Sequence, residues 1–347
     1  MKLASFPYVV QKEILDHLSI NNIFFLSLCS KRTKTFITQL QKCQFQKVEH
    51  VIYMIDPETV STISVKMMSR VVYDLFMGCF KSLAEFAMLL SETEEWAEEL
   101  QVNVLGTPIV FFRSRTTRYD LQLKYCSDSL ESTLEPIHNT LCDVLGQHTK
   151  SWFSSTSKTT HFLPMLKNIQ MLTLYGGRID SKRIDQLLSK TSCFQFLSTA
   201  SRYGSARFKK SSKLFNSEHV IAAKPSPLNT DILKYFNGRN AFFKECDISS
   251  HDVVHFLNSW KSGKKFRNLE VMSIDSNSFR IPLIRHAVQF KVINTLSWRL
   301  MEPWQFKSNL YLVRESDGHV ASVMLTDSQF FMGVWKLTEK QFLERFK

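Results

Sequence analysis

The sequence predicts a mixed α/β fold in which a helical N-terminal unit precedes a region of strand–helix repeats and a C-terminal β-hairpin. Apolar residues recur at helical spacing from the start of the chain. In the second half, a strand-like pattern and an amphipathic segment each occur twice. Near the C-terminus, two alternating stretches flank Asp317-Gly318, a pair typical of hairpin turns.

The N-terminal stretch predicts three short helices. Pro7 suits the first turn of a helix, where its missing N–H costs nothing. Ser19 and Ser30 can cap the second and third helices, because a serine hydroxyl accepts a bond from a free first-turn N–H. Three such helices cannot enclose a large core alone, so a partner or the rest of the chain must cover their apolar surface. The first helix carries one apolar stripe, formed by Val10, Ile14, Leu15 and Leu18.

This stretch strongly resembles an F-box. The residues that carry the resemblance are Phe6-Pro7, Glu13-Ile-Leu15, Leu18 and Leu26-Ser-Leu-Cys-Ser-Lys-Arg32. In that family the three helices dock a Skp-type adaptor, and through it a cullin–RING ubiquitin ligase. Departures from the family pattern occur at Tyr8, Val9, Phe25 and Thr33. The resemblance assigns adaptor binding to Phe6, Pro7, Val10, Ile14, Leu15, Leu18, Leu26, Cys29, Ser30 and Lys31.

The alternative for the same stretch is an ordinary helical hairpin packed on a core.

Apolar residues make up 44% of the 347 residues, enough for a sizeable core. The seven cysteines are scattered and never spaced as CxxC, which favours reduced thiols in an intracellular compartment, cytoplasmic or nuclear. No signal peptide or membrane-spanning run is apparent, so no membrane partner is predicted.

The formal net charge of +12 is compatible with binding to nucleic acid. The basic residues are dispersed, however, and the two densest clusters lie between Arg207 and Lys213 and between Lys261 and Arg267. Neither cluster resembles a known nucleic-acid module, so a solvated surface is the favoured interpretation.

The middle of the chain predicts alternating strands and helices. Strands are predicted within 47–55, 108–112 and 119–125, and 71–90 is apolar enough for a mixture of strand and helix. Acidic residues between Glu92 and Glu99 suggest the solvated face of a helix that ends near Leu100. A further helix is predicted from Ser129 to Leu145, with Gly146 as its stop, and the Ser/Thr/Lys-rich segment 151–160 is predicted to be a loop or a domain boundary.

The second half predicts an irregular leucine-rich-repeat-like α/β solenoid closed by the C-terminal hairpin. The segments 169–174 and 269–274 share one strand-like pattern, and 179–188 and 248–257 share one helical pattern. A degraded unit is predicted near 194–215. Such units must stack, because one unit cannot bury its apolar face alone. The hairpin of 309–314 and 320–325 is expected to close the sheet edge, with Phe330, Phe331 and Trp335 packed over it.

The same half resembles the F-box-associated domain of expanded nematode F-box families. The resemblance is carried by residues 243–248, 256–263 and 269–274, and it implies recruitment of a protein substrate. The resulting domains are an F-box at 1–45, the N-terminal part of the repeat-like region at 46–160, and a substrate-recruiting domain at 161–347.

The most enzyme-like motif is His251-Asp-Val-Val-His255, because two histidines four residues apart on a helix can share a zinc ion. Its acidic residue is aspartate rather than glutamate, and only Glu270 can be proposed as a third ligand. The repeat pattern explains the segment without a metal, since Val253, Phe256 and Leu257 fall on the core face. We therefore predict no catalytic site, no metal and no cofactor.

These observations predict a non-catalytic adaptor subunit of an E3 ubiquitin ligase complex, of the Skp–cullin–F-box type. Its partners would be a Skp-type adaptor and a protein substrate of unknown identity. The alternative is a basic nucleic-acid-binding protein or a general interaction scaffold. Side chains between the core positions of the repeat strands would form the substrate-binding face, namely Met171, Thr173, Tyr175, Val271 and Ser273.

Overall fold

We describe a computed structural model of the chain, which divides into two compact units. The first unit contains residues 1–157, 161–172 and 190–192, and the second contains residues 158–160, 173–189 and 193–347. The structure describes residues 3–18, 20–46, 48, 50–55, 62–66, 98–113, 121–123, 130–146, 149–155, 165–176, 180–191, 194–201, 207–276, 279–293, 297–301 and 304–345.

The first unit begins with the three predicted helices, which are confirmed. A 3-10 turn at Leu3–Ser5 precedes them, and a fourth short helix follows. Ser30 caps the third helix as predicted, because its hydroxyl accepts a hydrogen bond from Thr33 N at 3.0 Å. Ser19, the other predicted cap, lies outside the described residues. The four helices are α1 (Tyr8–Asp16), α2 (Ile20–Cys29), α3 (Lys31–Leu40) and α4 (Lys42–Phe45).

A later helix of the same unit, α5 (Leu130–Leu145), covers much of the apolar surface of the N-terminal helices. It contacts α2, α3 and α4, and Lys34 Nζ on α3 pairs with Asp143 Oδ2 on α5 at 2.5 Å. Leu15, Ile23 and Ile37 are at most 1% exposed. The rest of the chain therefore supplies the cover that three short helices need.

The strands of the first unit fall into two groups. One has the order β2-β1-β6, with β1 antiparallel to β2 and parallel to β6. The other is the antiparallel meander β3-β4-β5. The strands are β1 (His50–Ile55), β2 (Thr62–Lys66), β3 (Glu98–Val104), β4 (Thr107–Arg113), β5 (Leu121–Leu123) and β6 (Lys150–Ser155). β7 (Ile169–Gly176) has its first four residues in this unit and its last four in the second.

Most of the expected elements in this unit are confirmed, and two are wrong. Strands occupy part of each predicted strand segment, and α5 matches the helix predicted from Ser129. The acidic helix does not extend to Leu100, because residues 98–100 belong to β3. The segment 151–160, predicted as a loop or a boundary, begins with strand β6, in which Trp152 and Phe153 are buried, so a loop there is wrong; the opening range of the first unit does end within it, at residue 157. Residues 71–90 lie outside the described residues.

The second unit is built on consecutive parallel strands that alternate with helical segments. β8 to β11 are neighbours in chain order, and each pair is parallel. A 3-10 helix (Lys213–Asn216) lies before β9. The elements are α6 (Ser181–Ser189), β8 (Phe196–Ser201), β9 (His219–Ala223), α7 (Pro227–Tyr235), β10 (Asn240–Lys244), α8 (Ser250–Lys261) and β11 (Val271–Asp275).

Antiparallel strands extend this sheet beyond β11 in the order β17-β16-β15-β12. The predicted hairpin is present as β15 and β16, but it does not form the sheet edge, because β12 pairs with the outer side of β15. β17, which contains Phe330, Phe331 and Trp335, pairs with β16 instead of lying over the hairpin. The remaining elements are α9 (Ile281–Val288), β12 (Lys291–Val292), the separate hairpin β13 (Ser297–Met301) and β14 (Trp304–Lys307), β15 (Leu310–Val313), β16 (His319–Leu325), β17 (Gln329–Thr338) and α10 (Glu339–Arg345).

The core of the second unit follows the predicted repeat pattern. Val253, Phe256 and Leu257 are at most 1% exposed on α8, and the matching residues Ile184, Leu187 and Leu188 are fully buried on α6. The prediction of one degraded unit near 194–215 was incomplete. A further strand–helix pair, β9 and α7, lies before β10.

Candidate functional site

Apolar side chains are exposed together where α1 begins. Phe6, Tyr8, Val9 and Val10 have exposed fractions of 37%, 64%, 74% and 40%. Among the described residues, only Leu105 and Val292 are large apolar side chains of comparable exposure, and both lie far from α1 in the sequence. We call Phe6, Tyr8, Val9 and Val10 the α1 patch. Exposed apolar clusters of this kind mark protein-interaction sites.

The buried face of α1 explains why the α1 patch points to solvent. Gln11 and Leu15, one helical turn apart, are 8% and 0% exposed. The Gln11 side-chain amide donates to the Phe6 carbonyl oxygen at 2.6 Å, and Gln11 N donates to the Pro7 carbonyl oxygen at 3.0 Å. Pro7 therefore stands at the N-cap, one position before the predicted first turn. These bonds fix the segment that carries Phe6.

The far end of α1 is fixed as well. Gln41, 1% exposed between α3 and α4, donates through its side-chain amide to Asp16 Oδ1 at 2.9 Å. α1 also contacts α3 directly. The α1 patch is thus presented by a helix that is anchored at both ends, which lowers the entropic cost of docking.

The ten predicted adaptor-binding residues fall into three groups. Ile14, Leu18 and Leu26 are partly exposed. Leu15 is fully buried, so its predicted direct contact with a partner is wrong: it occupies the core position of α1. The other six residues are exposed and lie either at the start of α1 or at the α2–α3 junction, namely Phe6, Pro7, Val10, Cys29, Ser30 and Lys31.

Sequence reasoning missed Tyr8 and Val9, the two most exposed members of the α1 patch. Both residues depart from the F-box pattern, so the resemblance does not mark them as contacts. Helical periodicity places Tyr8 on the same side of α1 as the buried Leu15, seven residues later, and so gives no signal that Tyr8 is exposed. A signal for the buried face would need Gln11 to be recognised as a core-facing residue. A glutamine gives no such signal, because its burial depends on the bond to the Phe6 carbonyl.

Charged side chains border the α1 patch. Lys12, Glu13, Asp16 and His17 are exposed on α1, and His17 Nδ1 lies 3.7 Å from Glu13 Oε1. Lys31 and Arg32 are exposed at the start of α3. An apolar centre with a charged border is the usual anatomy of a protein–protein interface.

Residues 3–45 match the F-box domain family. This range contains the α1 patch and all four N-terminal helices. A search of curated proteins finds no match to the chain, and a search of solved structures finds none either.

The predicted substrate face is largely covered. Met171 and Thr173 are each 1% exposed and Val271 is 8% exposed, so the expectation that these side chains are accessible is wrong. Around Val271 a physical reason is visible: Phe242 and Phe331 pair in register with Ser273, two residues along the same strand and on the same face. Large apolar neighbours pack this face of the sheet instead of leaving it open.

Tyr175 and Ser273 are the two predicted substrate residues that stay partly exposed. Burial raises the pKa of the Tyr175 phenol, and a hydrogen bond with Ser198 partly offsets that rise. A substrate-binding role for Tyr175 and Ser273 stays a prediction.

The histidine motif has a structural explanation. His251 and His255 are exposed on α8, while Asp252 belongs to a capping box: its Oδ2 accepts from Ser249 N at 3.2 Å. Glu270, the proposed third ligand, is bound by Arg239 and Lys336 at 2.8–2.9 Å. Burial raises the pKa of Glu270, but these two cations outweigh it and leave the pKa below its usual value.

Metal-ligand clusters and membrane-spanning helices are both absent from the described ranges. No group of three or more His, Cys, Asp or Glu side chains there could hold a metal ion. None of the helices in those ranges combines the length and the apolar content that crossing a membrane requires.

Proposed function

We propose that this protein is the substrate-recruiting, non-catalytic subunit of a Skp–cullin–F-box type ubiquitin ligase, acting inside the cell. The observation that carries the proposal is the α1 patch within a segment that matches the F-box domain family. The patch would dock the Skp-type adaptor, and the adaptor would link the chain to the cullin–RING ligase.

The energetics of the α1 patch fit such docking. Interface energy concentrates in a few apolar and aromatic anchors that become fully desolvated in the complex. Tyr8 and Val9 have the most surface left to bury, at 64% and 74% exposed. Full burial of a valine or similar side chain contributes roughly 1.5–3 kcal/mol, so a few such residues can dominate the affinity.

We further propose that the second unit recruits the substrate. Its four consecutive parallel strands support a short, irregular leucine-rich-repeat-like stack, in line with the resemblance to the F-box-associated domain. The domain boundaries 1–45, 46–160 and 161–347 belong to this proposal. In this arrangement the adaptor and the substrate bind different parts of the chain.

Adaptor binding tests the proposal directly. The intact chain should co-purify with a Skp-type adaptor, and Val9→Asp should lower the affinity by about ten-fold or more, since a carboxylate would be buried without a partner. Leu105→Asp is the matched control, because Leu105 is 62% exposed, lies outside the F-box match and has a φ of 51° that aspartate tolerates.

Circular dichroism should show that both variants keep the fold. Failure of the intact, folded chain to bind any Skp-type adaptor would refute the proposed function. Equal loss of binding in both variants would refute the role of the α1 patch.

A further inference from the structure

Lysines recur at the same place in consecutive repeats of the second unit. The strand register aligns His219 of β9 with Asn240 of β10, and Asn240 with Val271 of β11. Lys213, Lys234 and Lys265 each lie six residues before these aligned positions. Neighbouring strands in a sheet are about 4.8 Å apart, so this spacing brings lysines from distant parts of the sequence to one edge of the parallel strands.

The two basic clusters of the sequence meet at a single aromatic ring on that edge. Lys210 Nζ lies 5.6 Å and Lys265 Nζ 5.7 Å from the centroid of the Tyr235 ring. Lys265 Nζ also donates to the Lys234 carbonyl oxygen at the end of α7, at 3.3 Å. Lys209, Lys210, Lys234, Lys264 and Lys265 are all exposed. We call Lys210, Lys234, Tyr235 and Lys265 the basic surface.

The basic surface lacks the counter-charges that several other cations of the second unit have. Arg239 binds Glu218 and Glu270, Lys336 binds Glu270, and Arg314 binds Asp317. Within the described ranges, no carboxylate pairs with the three lysines of the basic surface. The Tyr235 ring and the carbonyl end of α7 offer them only partial negative charge.

We propose that the basic surface binds an acidic segment of a protein. Carboxylates at alternate positions of an extended segment recur about every 7 Å, and the two ammonium groups on Tyr235 are both within 6 Å of one ring centroid. Such a segment would neutralise cations that have no carboxylate partner within the described part of the chain. The proposal builds on the proposed function, because the acidic segment would belong to the recruited substrate.

The surroundings of Tyr235 favour a protein over a nucleic acid. Proteins that bind single strands present an aromatic face on which a base can stack. Here the Tyr235 ring is half-buried, packs against Phe215 with 5.5 Å between centroids, and carries two lysines. A stacking base would compete with these contacts for the ring, whereas carboxylates need only the exposed ammonium groups.

Fluorescence anisotropy with the full chain tests the proposal without an adaptor, so its failure is distinct from failure of the proposed function. The probes are a labelled peptide that alternates glutamate and serine, its glutamine counterpart, and a single-stranded DNA oligonucleotide of equal charge. Lys210→Glu with Lys265→Glu should weaken binding of the acidic peptide by about ten-fold or more. The double variant Lys210→Gln with Lys265→Gln removes both charges without reversing them, so it should lose less affinity for the acidic peptide.

Lys182→Glu with Lys340→Glu is the matched control, because it changes the net charge equally. Both lysines are exposed, and Lys182 begins α6 after the carboxyl end of β7, whereas the basic surface lies where β9, β10 and β11 begin. Selective loss in the Lys210 and Lys265 variants, with the control and the glutamine peptide unaffected, would support the proposal. Equal loss in the control, no binding of the acidic peptide, or tighter binding of the DNA would overturn it.

Discussion

His138 should make the stability of the first unit depend on pH. This side chain lies on α5, is 2% exposed and contacts the Lys167 carbonyl oxygen through Nε2 at 2.9 Å and the Tyr53 hydroxyl through Nδ1 at 2.8 Å. A carbonyl can only accept, so Nε2 carries the proton and Nδ1 accepts from Tyr53. Burial lowers the pKa of His138, outweighing the opposing effects of the Lys167 carbonyl and Glu135.

The sign of the effect follows from proton uptake on unfolding. In the unfolded chain His138 titrates near its ordinary pKa of about 6.5, whereas the folded chain holds it neutral to lower pH. Between these two pKa values the unfolded state binds more protons, so the stability contributed by neutral His138 falls as the pH falls below about 6.5. One proton limits the slope to about 1.4 kcal/mol per pH unit.

Tyr53→Phe removes the hydroxyl that bonds His138 and keeps an aromatic ring at the same buried position. The variant should lose about 1–3 kcal/mol at neutral pH, because Nδ1 of His138 loses its buried donor. It should also show a shallower decline in stability between pH 7 and pH 5, since the tyrosine O–H no longer opposes protonation of Nδ1. Cys142, whose sulfur lies 3.7–3.9 Å from the imidazole nitrogens, is unchanged in the variant.

Urea titration followed by hydrogen exchange of the β1 and α5 amides measures the first unit alone. The other histidines contribute equally to the wild type and the variant, so the difference between their pH-dependent free energies of unfolding reports on His138. A variant that is less stable but has the same pH dependence as the wild type would refute the assigned tautomer. An equally stable variant would refute the buried hydrogen bond.

Three further outcomes are expected. Gly238→Ala should destabilise the second unit by about 1–3 kcal/mol in urea titration, because the added Cβ would lie 1.9 Å from the Ser217 carbonyl oxygen; an unchanged midpoint would contradict that geometry. Burial raises the pKa of Cys246 to about 12, so iodoacetamide at pH 8 should label exposed Cys29 and spare Cys246 until urea unfolds the chain, as mass spectrometry would show. Asp252→Ala should cost about 1 kcal/mol through loss of the capping box, and added zinc should leave the melting temperature of the intact protein unchanged if the motif is only a cap.

Local patterns predicted the helices well, because helical amphipathicity depends on residues close in sequence. α5 and α8 each show a full apolar face, and the predicted cap at Ser30 is present. β9 and α7 were missed although Ser226-Pro227 is a good helix start. β9 itself, His219–Ala223, is only five residues long and ends in two alanines, which weakens its apolar pattern.

The covered substrate face and the position of Leu15 required knowledge of neighbours. A sheet position between core residues is exposed or buried according to what packs on that face, and Val271 is buried by neighbours that only the strand register reveals. Leu15 and Val10 lie on one apolar stripe in the sequence, yet the first is 0% and the second 40% exposed. The stripe could predict a helix but not which of its members faces a partner.

The packing of α5 on α2, α3 and α4 constrains when the N-terminal helices can complete their packing during synthesis. Lys34 and Asp143, which join α3 to α5, are 109 residues apart in the chain. A nascent chain that ends before α5 lacks the surface against which α2, α3 and α4 pack. We therefore expect α2, α3 and α4 to pack fully only after α5 has left the ribosome, and a fragment cut at residue 45 would carry the matched motif without that support.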